Sequence, residues 1–297
     1  MRPTLLSFDL FGIDFDFHAY VVTISIAFLV CTLNAVRENY NRPNPYPITP
    51  IVGLWIFIGA FIGARAYWIL EYGAAKEELW GTQIHWYEAF FIWQPGLVFY
   101  GGLIGGVIAG VAYMRILRVP LLPMGDIAFP WLPLGIAITR IGCFLNGCCW
   151  GKPTNAPWAI AFPPGSAVYG VHKDQGLLEA GATATAHLHP TQLYNVGGQL
   201  IAFVIMYALY KKLRASGSNR YEGAIMFLFP LLYGIIRFNT EIYRGDYDVY
   251  RFGMSNSHIF SLGLVLFSFL AYACLWYTKW RHQDEEPPAE ATPENIE

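Results

Sequence analysis

Gly223–Thr240 reads GAIMFLFPLLYGIIRFNT, and Arg237 is its one charged residue. The run has the length of a bilayer crossing, which takes about 20 mostly apolar residues. Two further runs share its character. Pro50–Leu70 reads PIVGLWIFIGAFIGARAYWIL around Arg65, and Leu121–Thr139 is closed by Arg140. A guanidinium keeps its proton, and at membrane depth it costs about 2.5–3.5 kcal/mol even on the lenient insertion scale. Three such costs imply an anion held within or at the edge of the membrane, and a phospholipid phosphate is the obvious one.

Composition agrees with a membrane protein. The chain is 55% hydrophobic and 17% aromatic with only 13% charged residues, against about 25% charged in a soluble domain. The net charge of −2 offers no basic field for nucleic acid. Segments near Ala19–Val36, Gly96–Met114, Thr191–Tyr210 and Asn256–Thr278 join the three arginine runs, extended here to Leu121–Phe144 and Gly223–Ile242. The expected fold is therefore an all-α membrane protein of seven transmembrane helices. Gly101, Gly102, Gly105, Gly106 and Gly110 stripe the third of them, so that another helix or a lipid can approach its backbone closely.

Basic residues set the orientation. Arg37, Arg42, Arg115, Arg118, Lys211, Lys212, Arg214, Arg220, Lys279 and Arg281 fall on one side, and Arg2, Lys76, Lys152, Lys173, Arg244 and Arg251 are spread along the longer connections of the other. The N-terminus is expected outside and the C-terminus in the cytoplasm. Asp9, Asp14 and Asp16 before the first apolar run speak against a cleaved signal peptide. Gly12–Phe17 alternates apolar and acidic residues, as a short strand or an interfacial segment does. Residues 1–280 read as one membrane domain, with 147–190 as an extracytoplasmic insert that is either a small folded cap or functional. Within it PWAIAFPPGSAVYG suits turns between short strands. Residues 281–297 read as a disordered acidic cytoplasmic tail.

Four segments carry the chemistry: GLVFYGGLIGG at Gly96–Gly106, TRIGCFLNGCCWG at Thr139–Gly151, HPTQLYN at His189–Asn195, and YGIIRFNTEIYRGD at Tyr233–Asp246. Together and in this order they resemble bacterial prolipoprotein diacylglyceryl transferases, over nearly the whole chain before the tail. The resemblance implies transfer of the diacylglyceryl group of phosphatidylglycerol to the lipobox cysteine thiol of a preprolipoprotein, in the bacterial inner membrane, with glycerol phosphate leaving. It implies no cofactor, and a monomer is expected. By motif, Arg140, Asn146 and Gly151 match the family signature, Arg237 and Glu241 its arginine–glutamate pair, with Arg244 beyond them. Tyr20 matches the tyrosine opening the first helix, Arg65 the arginine of a GGR-like motif, and Gly101 and Gly102 the third-helix glycines. Catalytic parts are expected of Arg140, Arg237, Tyr100, His189 and Glu241, and substrate binding of Tyr20, Arg65, Gly101, Gly102, Asn146, Gly151 and Arg244.

The departures from the family pattern bear on the base. Tyr100 stands where the family usually has histidine, and Cys143 and Cys148 stand where asparagine and glutamate are common. A tyrosine with an ordinary pKa near 10 is a poor base at neutral pH. Either the histidine is dispensable, or another group such as His189 replaces it, or the chain is a divergent paralogue.

Chemistry alone supports the arginines. The leaving phosphate monoester gains negative charge, which fixed guanidinium groups stabilise bidentately. A cationic site also favours the attacking thiolate. Simpler roles stand beside these: Arg237 and Glu241 as an i,i+4 ion pair, Arg65 pairing with Glu71 or snorkelling, His189 capping a helix, Tyr100 as an interfacial tyrosine. Cys31 and Cys274 read as buried packing residues, and packing is also expected of Cys143, Cys148 and Cys149, with metal binding disfavoured for want of a tetrahedral set. An anion transporter, or a noncatalytic lipid-binding protein, is the alternative use of the same arginines.

Overall fold

The computed structural model describes residues 4–10, 13–72, 98–179, 181–215, 222–246 and 254–283. The side chains of Glu71 and Tyr100, and the tail from 284 on, lie outside the described residues. The chain divides into two compact units, one of residues 28–128 and one of residues 1–27 with 129–297.

Helices dominate, and polarity is inverted relative to a water-soluble protein. Asn39, Gln199 and Ser261 are fully buried, while Leu266, Leu270 and Trp276 are 60%, 61% and 71% exposed. A surface that apolar is stable only against lipid. Among the described residues, five helices are long and apolar enough to cross a membrane, six when Leu121–Ala128 and Trp131–Asn146 count as one broken span. The chain is thus a multi-pass helical membrane protein.

The unit of residues 28–128 holds the second half of α1 (Ala19–Tyr40), α2 (Ile51–Tyr72), α3 (Phe99–Ile116) and α4 (Leu121–Ala128). The glycine stripe of α3 is used by a helix. A Cβ on Gly101 would lie 2.3 Å from the Gly63 carbonyl oxygen, and one on Gly105 2.2 Å from that of Gly59. Glycines on both helices therefore bring the two backbones together, the packing device of membrane helices. Gly102 faces the same helix at looser distance, 3.4 Å from Ala60 O and Ala64 Cβ. Asn39 turns the chain after α1 by donating to, and accepting from, the backbone of Tyr46 at 2.9 and 3.0 Å.

The other unit begins with a hairpin added to the expected all-α fold. Strands β1 (Thr4–Leu10) and β2 (Ile13–His18) pair antiparallel, with Phe8 opposite Phe15. Of the two forms the alternating sequence allowed, the chain takes the strand. The first half of α1 then meets α5 (Trp131–Asn146), where a Cβ on Gly142 would fall 1.9 Å from Thr23 Oγ1. Next come α6 (Ala167–Asp174), α7 (Thr191–Ala215), α8 (Ala224–Ile242) and α9 (Asn256–Gln283). Helix α7 packs on α5 and α8, and α8 on α9. Pro230 sits inside α8, tolerated as membrane helices tolerate it.

Residues 147–190 form a folded insert with its own apolar centre of Phe162, Val168 and Leu188, flanked by Trp150 and Ile160. Bridges tie Leu188 to Pro153 and to Ile160. The stretch expected to turn between strands ends otherwise: after the turn at Gly165, Ala167–Asp174 is helical. One packing expectation is also corrected. Cys274 is exposed and Cys31 half-buried, because an apolar residue on a membrane helix can face lipid as readily as protein.

Candidate active site

The site is built where α5 ends. Gly147 closes the helix in the left-handed conformation at φ 70°, and its N–H donates to Phe144 O. The next residues are held by the start of α7: Thr191 Oγ1 donates to Cys149 O and Gln192 Nε2 to Cys148 O, each at 2.7 Å. Cys149 takes a positive φ of 60°, unusual outside glycine. The chain then runs between two partners. Gly151 N donates to His189 O at 3.1 Å, and Lys152 N to Tyr243 O at 2.8 Å. A Cβ on Gly151 would lie 2.5 Å from His189 and 2.8 Å from Tyr243 O, so glycine is required for this close passage. In this way three segments distant in sequence are laced into one rim.

That rim opens on a small cleft lined by Arg140, Cys149, Thr191, Gln192, Asn195, Arg237, Thr240 and Arg244. Three of the predicted arginines thus share one wall. Each is held differently. Arg237 Nη2 lies 2.8 Å from Glu241 Oε2 and donates to Ser257 Oγ at 2.8 Å. Arg244 grips Asp246 with two parallel donors, Nε to Oδ1 at 2.8 Å and Nη2 to Oδ2, and its Nε is 3.8 Å from Glu241 Oε2. Arg140 meets softer partners, donating from Nη1 to Cys149 Sγ at 3.6 Å and to Cys143 Sγ at 3.9 Å.

Glu241 is the hub of the α8 pairings. Its side chain is buried, and its Oε1 accepts a hydrogen bond from Ser255 Oγ at 2.9 Å. Ser255 is bonded in turn to His258 Nδ1 at 3.1 Å. Sequence reading did not find this serine–histidine support, since nothing in the order of residues ties the start of α9 to α8.

Cys143, Cys148 and Cys149 bring their sulfurs within 4.8 Å of one another. The sequence reading expected packing; the sulfurs also face Arg140. Cys149 is held below the ordinary thiol range by hydrogen bonds from Cys143 and Cys148, and by Arg244 and Arg140, against the effect of burial. Against the lowering effect of its hydrogen bonds with Cys143 and Asn146, Cys148 is pushed up by Cys149 and by burial. Of the two cysteines past the end of α5, Cys149 is therefore the more acidic, and it lines the cleft.

The remaining predicted residues fall as follows. Tyr20 lies within electrostatic reach of Arg140. Asn146 is half-buried, its side chain against the Cys148 thiol. His189 is not among the lining residues: its Nδ1 pairs with Tyr194 Oη at 2.9 Å, and its ring packs on Tyr194 and Tyr243. Arg65 is buried on α2, with its guanidinium 4.6 Å from the Trp68 ring centre. Gly101 and Gly102 face α2 as described, and the Tyr100 side chain is outside the described residues. Gln192 and Asn195 were overlooked as individual side chains, although amides at i and i+3 on an apolar helix are a legible signal.

The family model described as prolipoprotein diacylglyceryl transferase matches residues 8–274. The chain is 30% identical over 299 residues to a phosphatidylglycerol–prolipoprotein diacylglyceryl transferase of Rhodopseudomonas palustris, covering 98% of this chain and 94% of that one. With the protein of that name from Ruegeria pomeroyi it shares 29% over 254 residues, 82% of this chain and 80% of the relative. With that from Pseudomonas putida it shares 30% over 233 residues, 76% and 74% of the two chains.

Proposed function

The chain belongs to the prolipoprotein diacylglyceryl transferase family, and from that premise we propose that it moves the diacylglyceryl group of phosphatidylglycerol onto the lipobox cysteine of a preprolipoprotein. The observation that carries the reading is the cleft shared by Arg140, Arg237 and Arg244. With family membership, the transporter reading of these arginines falls away.

The substrate thiol gives its proton to water, its sulfur forms a bond to the glycerol carbon, and the carbon–oxygen bond to phosphate breaks. Glycerol phosphate leaves with the electron pair. Charge thus grows on the phosphate, where preorganised cations stabilise the transition state more than the ground state. Arg140 is the foremost candidate for that charge, because its described hydrogen bonds go to sulfur at 3.6 and 3.9 Å and not to a carboxylate, and a phosphate oxygen matches the guanidinium fork better. Arg237 is the second, oriented by Glu241 and Ser257. Arg244, clamped by Asp246, adds field and ties the rim to Gly151. The same field favours the substrate thiolate, so the reaction places little demand on a strong base. Tyr100 donates a hydrogen bond to the head group. Tyr20 and Asn146 contact substrate beside Arg140, and Arg65, Gly101 and Gly102 serve lipid binding by family analogy. His189, bonded to Tyr194, acts on the rim rather than as the base.

In this reading the chain spans the bacterial inner membrane seven times as a monomer. Helix α3 and the pair α4–α5 complete the count, the N-terminus and the 147–190 insert are outside, and residues 281–297 form a cytoplasmic tail. The test is direct. Purified protein in phosphatidylglycerol vesicles, given a lipobox peptide, should yield a thioether-linked diacylglyceryl adduct by mass spectrometry. No adduct under conditions where the Rhodopseudomonas palustris relative works would reject the reading.

A further inference from the structure

Two amide oxygens on the wall of the cleft have no hydrogen-bond partner among the described residues: Gln192 Oε1 and Asn195 Oδ1. Both residues are almost wholly inside, at 1% and 3% exposure. The orientation of Gln192 is set, since its Nε2 is committed to Cys148 O at 2.7 Å. Its oxygen is therefore an acceptor and not a misassigned donor. Asn195 stands one turn further along α7, so the two acceptors share a helix face. Buried acceptors left unpaired are costly, and native proteins rarely keep them without a reason.

The rest of the lining limits what satisfies them. Arg140, Arg237 and Arg244 are all donors and call for an anion. A phosphodiester offers acceptors alone and does nothing for the two amides. They need a ligand that brings hydrogen-bond donors along with its phosphate. An ammonium head group supplies donors but brings a positive charge among three guanidinium groups. Hydroxyls supply donors without charge, and a glycerol head group carries two.

Resting on the transferase reading above, we propose that Gln192 and Asn195 read the hydroxyls of the leaving glycerol, and so select phosphatidylglycerol among anionic phosphodiester lipids. They are specificity residues: the arginines hold the phosphate, and the amides test what is attached to it. A site built around hydroxyl donors rejects an analogue lacking them, because its buried acceptors then stay unpaired.

The experiment compares phosphatidylglycerol with phosphatidylpropanol, which has the same diester charge and three head-group carbons but no hydroxyl. The wild type should show kcat/KM at least roughly tenfold lower on phosphatidylpropanol. Gln192→Met and Asn195→Leu should bring that ratio towards one, by losing more turnover on phosphatidylglycerol than on the analogue. Asn195→Asp keeps an acceptor in place and should keep the preference. Equal use of the two lipids by the wild type overturns the proposal, as does an equal loss on both lipids in the variants. Should the variants fail to accumulate, thermal stabilisation of the wild type by each lipid decides, and equal stabilisation refutes it. A wild type inactive on phosphatidylglycerol, under conditions where the relative works, rejects the transferase reading instead.

Discussion

Removing the charge of Glu241 tests how the arginine wall is held. Its carboxylate is 2% exposed, 2.8 Å from Arg237 Nη2 and 3.8 Å from Arg244 Nε, and it accepts from Ser255 at 2.9 Å. Glu241→Ala leaves Arg237 with Ser257 as its remaining described partner and takes from Ser255 its carboxylate acceptor. Breaking a buried pair from one side costs about 3–5 kcal/mol. Glu241→Gln keeps one oxygen to accept from Arg237 and turns its NH2 to Ser255 Oγ, which can accept, so it loses chiefly the charge-assisted share, about 1.5 kcal/mol. The assay is unfolding of both variants in detergent, repeated with phosphatidylglycerol. A bound phosphate replaces the missing counter-charge, so the lipid should stabilise Glu241→Gln more than the wild type. An alanine variant within about 0.5 kcal/mol of wild type would refute the buried pairing, that being the range of ordinary surface substitutions. Equal lipid stabilisation of Glu241→Gln and wild type would show that Arg237 does not meet the phosphate.

Other outcomes follow from the same geometry. Arg140→Lys and Arg237→Lys should each lose most transfer activity, because an ammonium cannot reproduce the guanidinium fork; a folded lysine variant with near-full turnover would show that charge alone suffices. Gly101→Ala should destabilise by about 1–3 kcal/mol, since its Cβ meets Gly63 O at 2.3 Å, while Gly110→Ala, with open contacts from 3.5 Å, should be neutral in the same thermal assay. Alkylation of Cys149 by a small reagent should begin below the usual thiol pKa of about 8.5, because its pKa is depressed and the thiolate persists to lower pH. In Arg140→Ala that onset should move upward, and an unmoved onset would remove Arg140 from its causes. Tyr100→Phe should remain active with roughly tenfold loss or less and an unshifted pH–rate profile, and Tyr100→His should be tolerated; an inactive, folded phenylalanine variant would make Tyr100 the base.

What the chain's order of residues determined on its own was class and chemistry. Run lengths and an arginine within or at the end of an apolar run suffice for a membrane assignment, because the bilayer imposes length and penalises charge. The motifs around Arg140, His189 and Arg237 carried the family, because spacing within one helix or turn is local information. Tertiary structure decided which of these residues meet. Arg140 reaches Cys149 because Gly147 reverses the chain and α7 holds the two carbonyls that follow. His189, equally prominent in the motifs, is turned to Tyr194 and away from the lining. The glycines of α3 were readable as a contact stripe, but only packing named α2 as the occupant. Cys274 shows the reason most plainly: in a membrane the outer face of a helix is as apolar as its inner one, so hydrophobicity stops telling inside from outside. Buried amides such as Gln192 and Asn195 keep that information, because a polar side chain turned to lipid has nothing to bond.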